Sequence, residues 1–297
     1  MDTHGPLPNH RCLMATFPQK LKLLSSSRRM QTAYARWLVA RLITGKPPLL
    51  TLGANVRIGG WINFSEYWSL QGILPKQEQL FIKRCLEGKR GRAVAFDVGA
   101  NLGAFTCFLA DMGASQVHAF EPIPETYGRL KNNVKLNGLL DRAYLNCLAV
   151  GKEQGLATFH IEESSPATNH LALPGRPSAN SAASSQLVAL VSLDGYCNGQ
   201  VIQGIDFLKV DVEGMEPYVL QGARALLKER KIAAILIEIC PTNLRAVGLS
   251  PAHLYREFET ARYSPHVLND DGRPGAKLAA ADMEAMSLAN VVLLPDA

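Results

Sequence analysis

Apolar residues in this 297-residue chain fall into short continuous runs separated by stretches of helical periodicity. Ala93 to Val98, interrupted only by Asp97 and closed by Gly99, has the pattern of a strand buried on both faces. Phe105 to Met112 predicts a short helix stopped by Gly113, and Val117 to Phe120 predicts a second strand. Pro124 opens another helix, with Tyr127, Leu130 and Val134 on one face, and Gly138 ends it. Ala143 to Val150, Phe207 to Val212 and Ala233 to Ile239 predict three further strands. A last strand, Ala289 to Leu294, follows the turn signal Asn269-Asp270-Asp271-Gly272. Helices are predicted over Pro217–Glu229 and from the cap Ser250-Pro251 through Leu254 and Phe258. This alternation predicts an α/β fold, a doubly wound and mainly parallel sheet that binds ligands beyond the carboxyl ends of its strands. Asp97, Glu121, Asp211 and Glu238 stand at such ends.

Charge divides the chain differently. Residues 1–60 hold nine Lys/Arg and one acid, Asp2, for a net +8; residues 61–297 hold 22 bases and 25 acids. The overall pI of about 8.9 thus describes a basic leader, and the slightly acidic body gives no expectation of a nucleic-acid partner. The expected organisation is a basic extension, 1–60, and a body, 61–297. The body comprises an aromatic-rich cap (61–92), a core (93–240) and a C-terminal helix and hairpin (241–297). Within the leader, residues 1–18 read as a tail and Lys20 to Thr44 as a basic helix ended by Pro47-Pro48. Three readings fit it: a tail with a docked helix, peripheral contact with an anionic membrane or a membrane-bound acceptor, and an organelle transit peptide. Charged content of 19% excludes a polyelectrolyte, and no uncharged apolar run reaches the roughly 18 residues of a membrane span. Six scattered cysteines without a Cys-x-x-Cys pair fit a reducing cytoplasm, with neither a zinc site nor a disulfide framework.

Candidate chemistry sits at two places. Asp97-Val98-Gly99-Ala100-Asn101-Leu102-Gly103 is a glycine-bearing turn between strand and helix, with Asn101 where glycine is common. Glu121 ends the next strand 18 residues after Gly103, where an acid can bond two ribose hydroxyls, so an adenosine-containing ligand is expected. The dinucleotide and Walker patterns are missing, which disfavours NAD and ATP. Further on, Lys209 and Asp211 share one face of a central strand by period-two spacing, and a buried Lys must be paired. Asp97, Asp211 and Glu238 are its candidate partners. This reads either as an ion pair pinning strand register or as a preorganised polar site with Asp211 or Glu213 as base and Lys209 tuning it. Acids this dense can hold Mg²⁺, but without a His or a ligand spacing no metal is assigned.

Phe96 to Gly103, Phe120-Glu121-Pro122, Leu193-Asp194, Leu208 to Glu216 and Val219-Leu220-Gln221-Gly222-Ala223 together resemble the FkbM-type methyltransferase family. The resemblance covers about residues 93–240. It implies a class I fold with a seven-stranded sheet whose last strand is antiparallel, S-adenosyl-L-methionine as cofactor, and methylation of hydroxyl groups on sugars, polyketides and related metabolites. By resemblance Asp97, Gly99, Asn101 and Gly103 form the cofactor loop and Glu121 is the ribose ligand. Lys209, Asp211, Glu213 and Glu216 match the family's Lys-x-Asp-x-Glu-Gly-x-Glu signature, with Met215 where a small residue is usual. Asp211 is the first choice of base for a hydroxyl acceptor, Glu213 the second; Glu216, Asp194 and Glu238 are assigned to the substrate side, although Asp194 also suits a turn cap. The absence of an Asn/Asp-Pro-Pro-aromatic motif favours oxygen over exocyclic nitrogen as acceptor and, with the acidic body, disfavours an RNA or protein methyltransferase. A non-catalytic cofactor- or nucleotide-binding module docked through the leader is the alternative from another class. Two further features stay open at this point. Glu162 to Gln186 is a lid or a plain insertion. Trp61, Phe64, Tyr67 and Trp68 are a packed cap or a sugar-stacking surface.

Overall fold

The computed structural model describes residues 28–61, 63–89, 91–161, 170–171 and 184–296. In chain order its strands are β1 (Leu50–Leu52), β2 (Val56–Ile58), β3 (Val94–Val98), β4 (Gln116–Phe120) and β5 (Ala143–Asn146). Next come β6 (Ala149–Val150), β7 (Gly155–Ile161), β8 (His170–Leu171) and β9 (Ser184–Val191). The last are β10 (Phe207–Val210), β11 (Ile235–Ile239), β12 (Tyr263–Leu268), β13 (Pro274–Lys277) and β14 (Ala289–Pro295).

Eight strands form the main sheet in the order β13-β12-β14-β11-β10-β3-β4-β5. From β11 to β5 all neighbours are parallel, and β14 runs antiparallel between β11 and β12. The doubly wound, mainly parallel sheet expected from the alternation is therefore present. The expected count of seven is one short. The turn at Asn269–Gly272, with Gly272 N–H donating to the Asn269 carbonyl at 2.8 Å, folds β13 back on β12 as an extra edge strand. Successive residues of the central strands alternate between two layers, as period two requires. Ala95, Phe207 and Leu236 pack under the helices Lys76–Leu86, Ala104–Asp111 and Pro124–Leu136. Phe96, Leu208 and Ile235 pack on the other side, under Leu193–Gln200, Glu216–Gln221, Arg224–Lys228 and Pro251–Ala261. Phe96 and Phe207 expose no surface, and burying each stabilises the fold by about 1.5–3 kcal/mol.

Several expected elements are divided. Ala143–Val150 is not one strand: after Asn146 the chain leaves the main sheet and enters a four-stranded sheet, β6-β9-β7-β8. Asn146 marks the exit by donating Nδ2 to the carbonyls of Ala119 and Tyr144 at 3.1 and 3.0 Å. The Glu162–Gln186 segment contributes β8 and the start of β9 to that sheet; 162–169 and 172–183 lie outside the described residues. The Pro217–Glu229 helix breaks at Gly222-Ala223, where the backbone presses on the neighbouring layer. A Cβ on Gly222 would lie 2.0 Å from the Gly151 carbonyl oxygen.

Charge does not mark the edge of the folded body. Leu52, Val56 and Ile58 of the β1–β2 hairpin are buried in the same core as Phe108. The backbone N–H and carbonyl of Arg57 pair with the Asn137 side chain, and those of Gly59 with Asn133, whose Nδ2 also donates to Leu102 O at 2.9 Å. A boundary at residue 60 therefore cuts through packed structure. Ahead of the hairpin, Arg28–Thr44 is helical; residues 1–27 lie outside the described residues. The aromatic cluster packs as a cap: Trp61 meets Tyr67 edge-on at 5.6 Å between centroids, and Phe64 stacks on Trp68 at 6.4 Å.

Candidate active site

Connections leave β3 toward β4 on one side, while β10 lies on its other side, so the sheet changes direction between β3 and β10. A crevice forms at the carboxyl end of such a switch point. Here it is a cavity of about 530 Å³, within the usual range for a small-molecule site. Asp97, Gly99, Asn101, Glu121, Lys209, Asp211, Glu213 and Glu238 all line it. A wider cleft of about 710 Å³ at the opposite ends of the strands, beside Lys89, Arg92 and Asp206, contains none of these residues.

The turn after β3 is shaped by close backbone approach. Gly99 has φ +83°, and a Cβ there would lie 1.8 Å from the Asp211 carbonyl oxygen. Only glycine fits. Asn101 adopts φ +49°, as its side chain tolerates, and its backbone N–H donates to Glu121 Oε2 at 3.0 Å. Glu121 Oε1 accepts from Ile123 N–H at 3.0 Å, so one carboxylate fixes the loops after β3 and β4 together. Burial still pushes the Glu121 carboxyl up to about 7. Asp97 is fully buried: Oδ2 accepts from the Thr106 hydroxyl at 2.6 Å, while Oδ1 has no partner. Burial raises its pKa, against the pull of Lys209 and Thr106. Asn101 Oδ1 is likewise buried without a partner.

Next to this loop, β10 carries Lys209 in register with Asp97 on β3. The ammonium bonds Asp211 Oδ2 at 2.9 Å and lies 4.6 Å from the centroid of the Phe105 ring. Burial opposes its charge, but Asp211, Asp97 and Glu238 outweigh that cost and its pKa is raised. Glu238, at the end of β11, is held well above the usual carboxylate range by burial, with Asp211 and Glu213 adding to it. Glu213 adopts φ +57° and accepts from Asn243 Nδ2 at 2.5 Å.

Three expected residues fall elsewhere. Glu216 does not face the cavity: it is 2% exposed, and its Oε1 accepts from the Val212 and Gly214 amides at 3.2 and 3.1 Å. It moulds the Asp211–Met215 turn, and burial lifts its carboxyl to about 7. Asp194 also lies off the cavity, its two oxygens accepting from Ala225 and Leu226 N–H at 2.9 and 3.0 Å and capping the helix Arg224–Lys228. Asp194 thus acts as a cap, but of a helix about 30 residues further along the chain rather than of the turn that follows it. Gly103 packs on Leu130 behind the loop and does not line the cavity.

Other contributors escaped the sequence reading. Glu66, Ser69, Leu70 and Ile73 wall the cavity from the cap, and Phe159 and Leu190 wall it from the small sheet. Glu78 lies beside the Lys209 cluster, 5% exposed, with Oε1 accepting from Asn290 Nδ2 at 2.9 Å and Oε2 unpartnered. Burial raises its carboxyl to about 7, and Lys209 and Asp211 both act on it. The available signal was its spacing: Glu78 sits three and four residues before Phe81 and Ile82, on the buried face of the helix.

Carboxylates thus outnumber the one buried ammonium at this end of the sheet. Such a wall suits a ligand carrying positive charge. Unpartnered Asp97 Oδ1 and Asn101 Oδ1 beside the Cβ-free Gly99 suit one bearing hydrogen-bond donors as well. With its antiparallel strand next to the parallel ones and this site at the switch point, the molecule is a Rossmann-like methyltransferase. The chain belongs to the FkbM family: the Methyltransferase FkbM domain matches residues 97–265, more than half of its length. Its cofactor is S-adenosylmethionine, a cation, in keeping with the charge of the cavity.

The chain is 28% identical to the hexuronic acid methyltransferase AglP of Haloferax volcanii over 210 residues, 69% of this chain and 78% of that protein. It is 28% identical to the 2-O-methyltransferase NoeI of Sinorhizobium fredii over 149 residues, 46% of this chain and 60% of NoeI. Methyltransferase FkbM from Methylobacillus flagellatus KT, a solved structure, aligns with a TM-score of 0.44 at 15% identity, over 74% of this chain and 48% of its own.

Proposed function

We propose that the protein methylates a hydroxyl group of a sugar or glycan, with Asp211 as the general base. The observation that carries the assignment of the base is the position of Asp211. Its side chain is 31% exposed at the cavity wall, while Oδ2 is held by a lysine that is itself buried. Of the carboxylates at this end of the sheet, Asp97 and Glu121 are sealed into the fold, and Glu213 is turned toward Asn243. The activities of the two relatives, a hexuronic acid methyltransferase and a 2-O-methyltransferase, support sugar oxygen as acceptor.

Asp97, Gly99, Asn101 and Glu121 would hold the cofactor, Glu121 through its ribose and the glycine turn by close backbone approach. When bound, the cofactor supplies an electrophilic methyl group on a sulfonium. Lys209 orients Asp211 by a 2.9 Å bond, and Glu216 fixes the turn that follows it. A hydroxyl is a weak nucleophile, so Asp211 would take its proton as the methyl group passes from sulfur to the acceptor oxygen, one S–C bond breaking as one C–O bond forms. The cap and the small sheet enclose the cavity and limit water. Glu238 lines the cavity near Asp211, where its carboxyl would bond a sugar hydroxyl.

Transfer of labelled methyl groups to free and glycan-linked uronic acids and hexoses tests the reading. Asp211→Asn should bind cofactor normally by calorimetry and lose about 10²–10⁴-fold in turnover, the usual contribution of a general base. Full turnover in that variant would remove Asp211 as the base. Labelling of a nitrogen or protein acceptor alone would overturn the sugar hydroxyl assignment.

A further inference from the structure

The helix Arg28–Thr44 is apolar on two opposite sides. At about 100° per residue, Ala33 and Trp37 point to one side and Leu38, Val39, Leu42 and Ile43 to the other. The first pair is buried: Trp37 and Tyr34 meet the Phe64 ring edge-on at 5.9 and 4.9 Å. The second set faces outward, with Leu42 82% and Ile43 78% exposed. Scattered exposed leucines are ordinary; four on one helical stripe are not. Around the stripe stand Arg36, Arg41 and Lys46, all exposed, with Arg41 lying 5.1 Å over the Trp37 ring. Between Asp2 and Glu66 the chain has no acidic residue.

We propose that this helix seats the protein on an anionic lipid bilayer. Leu38, Val39, Leu42 and Ile43 enter the headgroup–acyl boundary, and Arg36, Arg41 and Lys46 meet the anionic headgroups. Charge selects this occupant. A second copy bound through the same patch would set Arg36, Arg41 and Lys46 against their own counterparts with no acid to neutralise them, whereas anionic lipid supplies the missing charge. Among the described residues no helix is long and apolar enough to cross a membrane, so this one lies along the surface. Its buried side rests on Phe64 in the helix Phe64–Ser69, which presents Glu66 and Ser69 to the cavity. This wall of the cavity therefore stands one helix layer from the lipid.

Sedimentation of the full chain with vesicles tests the proposal. Binding to an equimolar phosphatidylcholine–phosphatidylglycerol mixture should exceed binding to phosphatidylcholine alone at least tenfold. It should weaken in 1 M salt, where the screening length falls to ~3 Å. Leu42→Asp with Ile43→Asp should lower partitioning at least tenfold without changing the thermal melt, because both side chains are already in water. Arg36→Glu with Lys46→Glu should do the same on anionic vesicles. Failure of the wild-type chain to sediment with anionic vesicles would overturn the proposal. Undiminished binding by the Leu42/Ile43 variant would overturn it too. So would a dimer in light scattering that the same pair of substitutions dissolves, since the patch would then belong to a second copy.

Discussion

Replacing Lys209 with methionine keeps the volume of the side chain and removes its charge. Lys209 is 4% exposed, bonded to Asp211 at 2.9 Å and in register with Asp97, whose Oδ1 has no hydrogen-bond partner. Without it, Asp97 and Glu238 each face the Asp211 carboxylate uncompensated. Removing one member of a buried ion pair costs about 3–5 kcal/mol, which for a domain of this size lowers Tm by roughly 6–20 °C. The cost must depend on pH, and its sign is fixed. Lys209 has a raised pKa in the fold, so its stabilising charge is present throughout pH 5–8. Asp97 and Glu238 are already raised by burial, and losing Lys209 raises them further. As pH falls they take up protons and the uncompensated charge disappears. Calorimetric melts of Lys209→Met and wild type at pH 8 and pH 5 should show a large deficit at the first and a small one at the second. A deficit equal at both pH values, or none at pH 8, would refute the account of Lys209 as the counter-charge of this cluster.

Gly99→Ala should abolish measurable cofactor binding and lower the melting temperature, since its Cβ would fall 1.8 Å from the Asp211 carbonyl at φ +83°; calorimetry and a thermal melt check both. Glu121, raised from its ordinary value of 4.5 to about 7, contributes stability that is full below pH 4.5 and lost as pH rises through 7, up to about 3 kcal/mol. Glu121→Gln should flatten that part of the pH dependence of the urea midpoint between pH 5 and pH 8. Asp194→Ala should cost about 0.5–2 kcal/mol as a lost helix cap while leaving cofactor affinity unchanged in titration.

The strands that build the site were legible because burial on two faces leaves a continuous apolar run, as in Ala93–Val98. The acids at their ends were legible because a charge interrupting such a run needs a reason. Asp97, Glu121, Lys209, Asp211 and Glu238 do meet at one cavity. Glu216 and Asp194 show where pattern reading stops. Glu216 belongs to the signature and Asp194 to a separate matching pair, yet their partners are backbone amides, and no residue type records which amides a carboxylate will find. Glu78 was hidden for another reason: its partner, Asn290, lies 212 positions away along the chain. The small sheet was missed because β6 has two residues and β7 and β9 alternate weakly, below what a window can detect.

The side chain of Asn133 has a practical bearing on how this protein can be cut. The family domain match starts at residue 97, and the charge boundary lies at 60, so either invites a shortened version of the chain. Yet Asn133 joins Gly59 to Leu102, and Leu52, Val56 and Ile58 each bury apolar surface worth about 1.5–3 kcal/mol. A fragment starting at either boundary would expose the flank of Ala104–Asp111 and strand two asparagine side chains without their partners. A unit that keeps this packing therefore starts ahead of β1, well upstream of the residues that define its family.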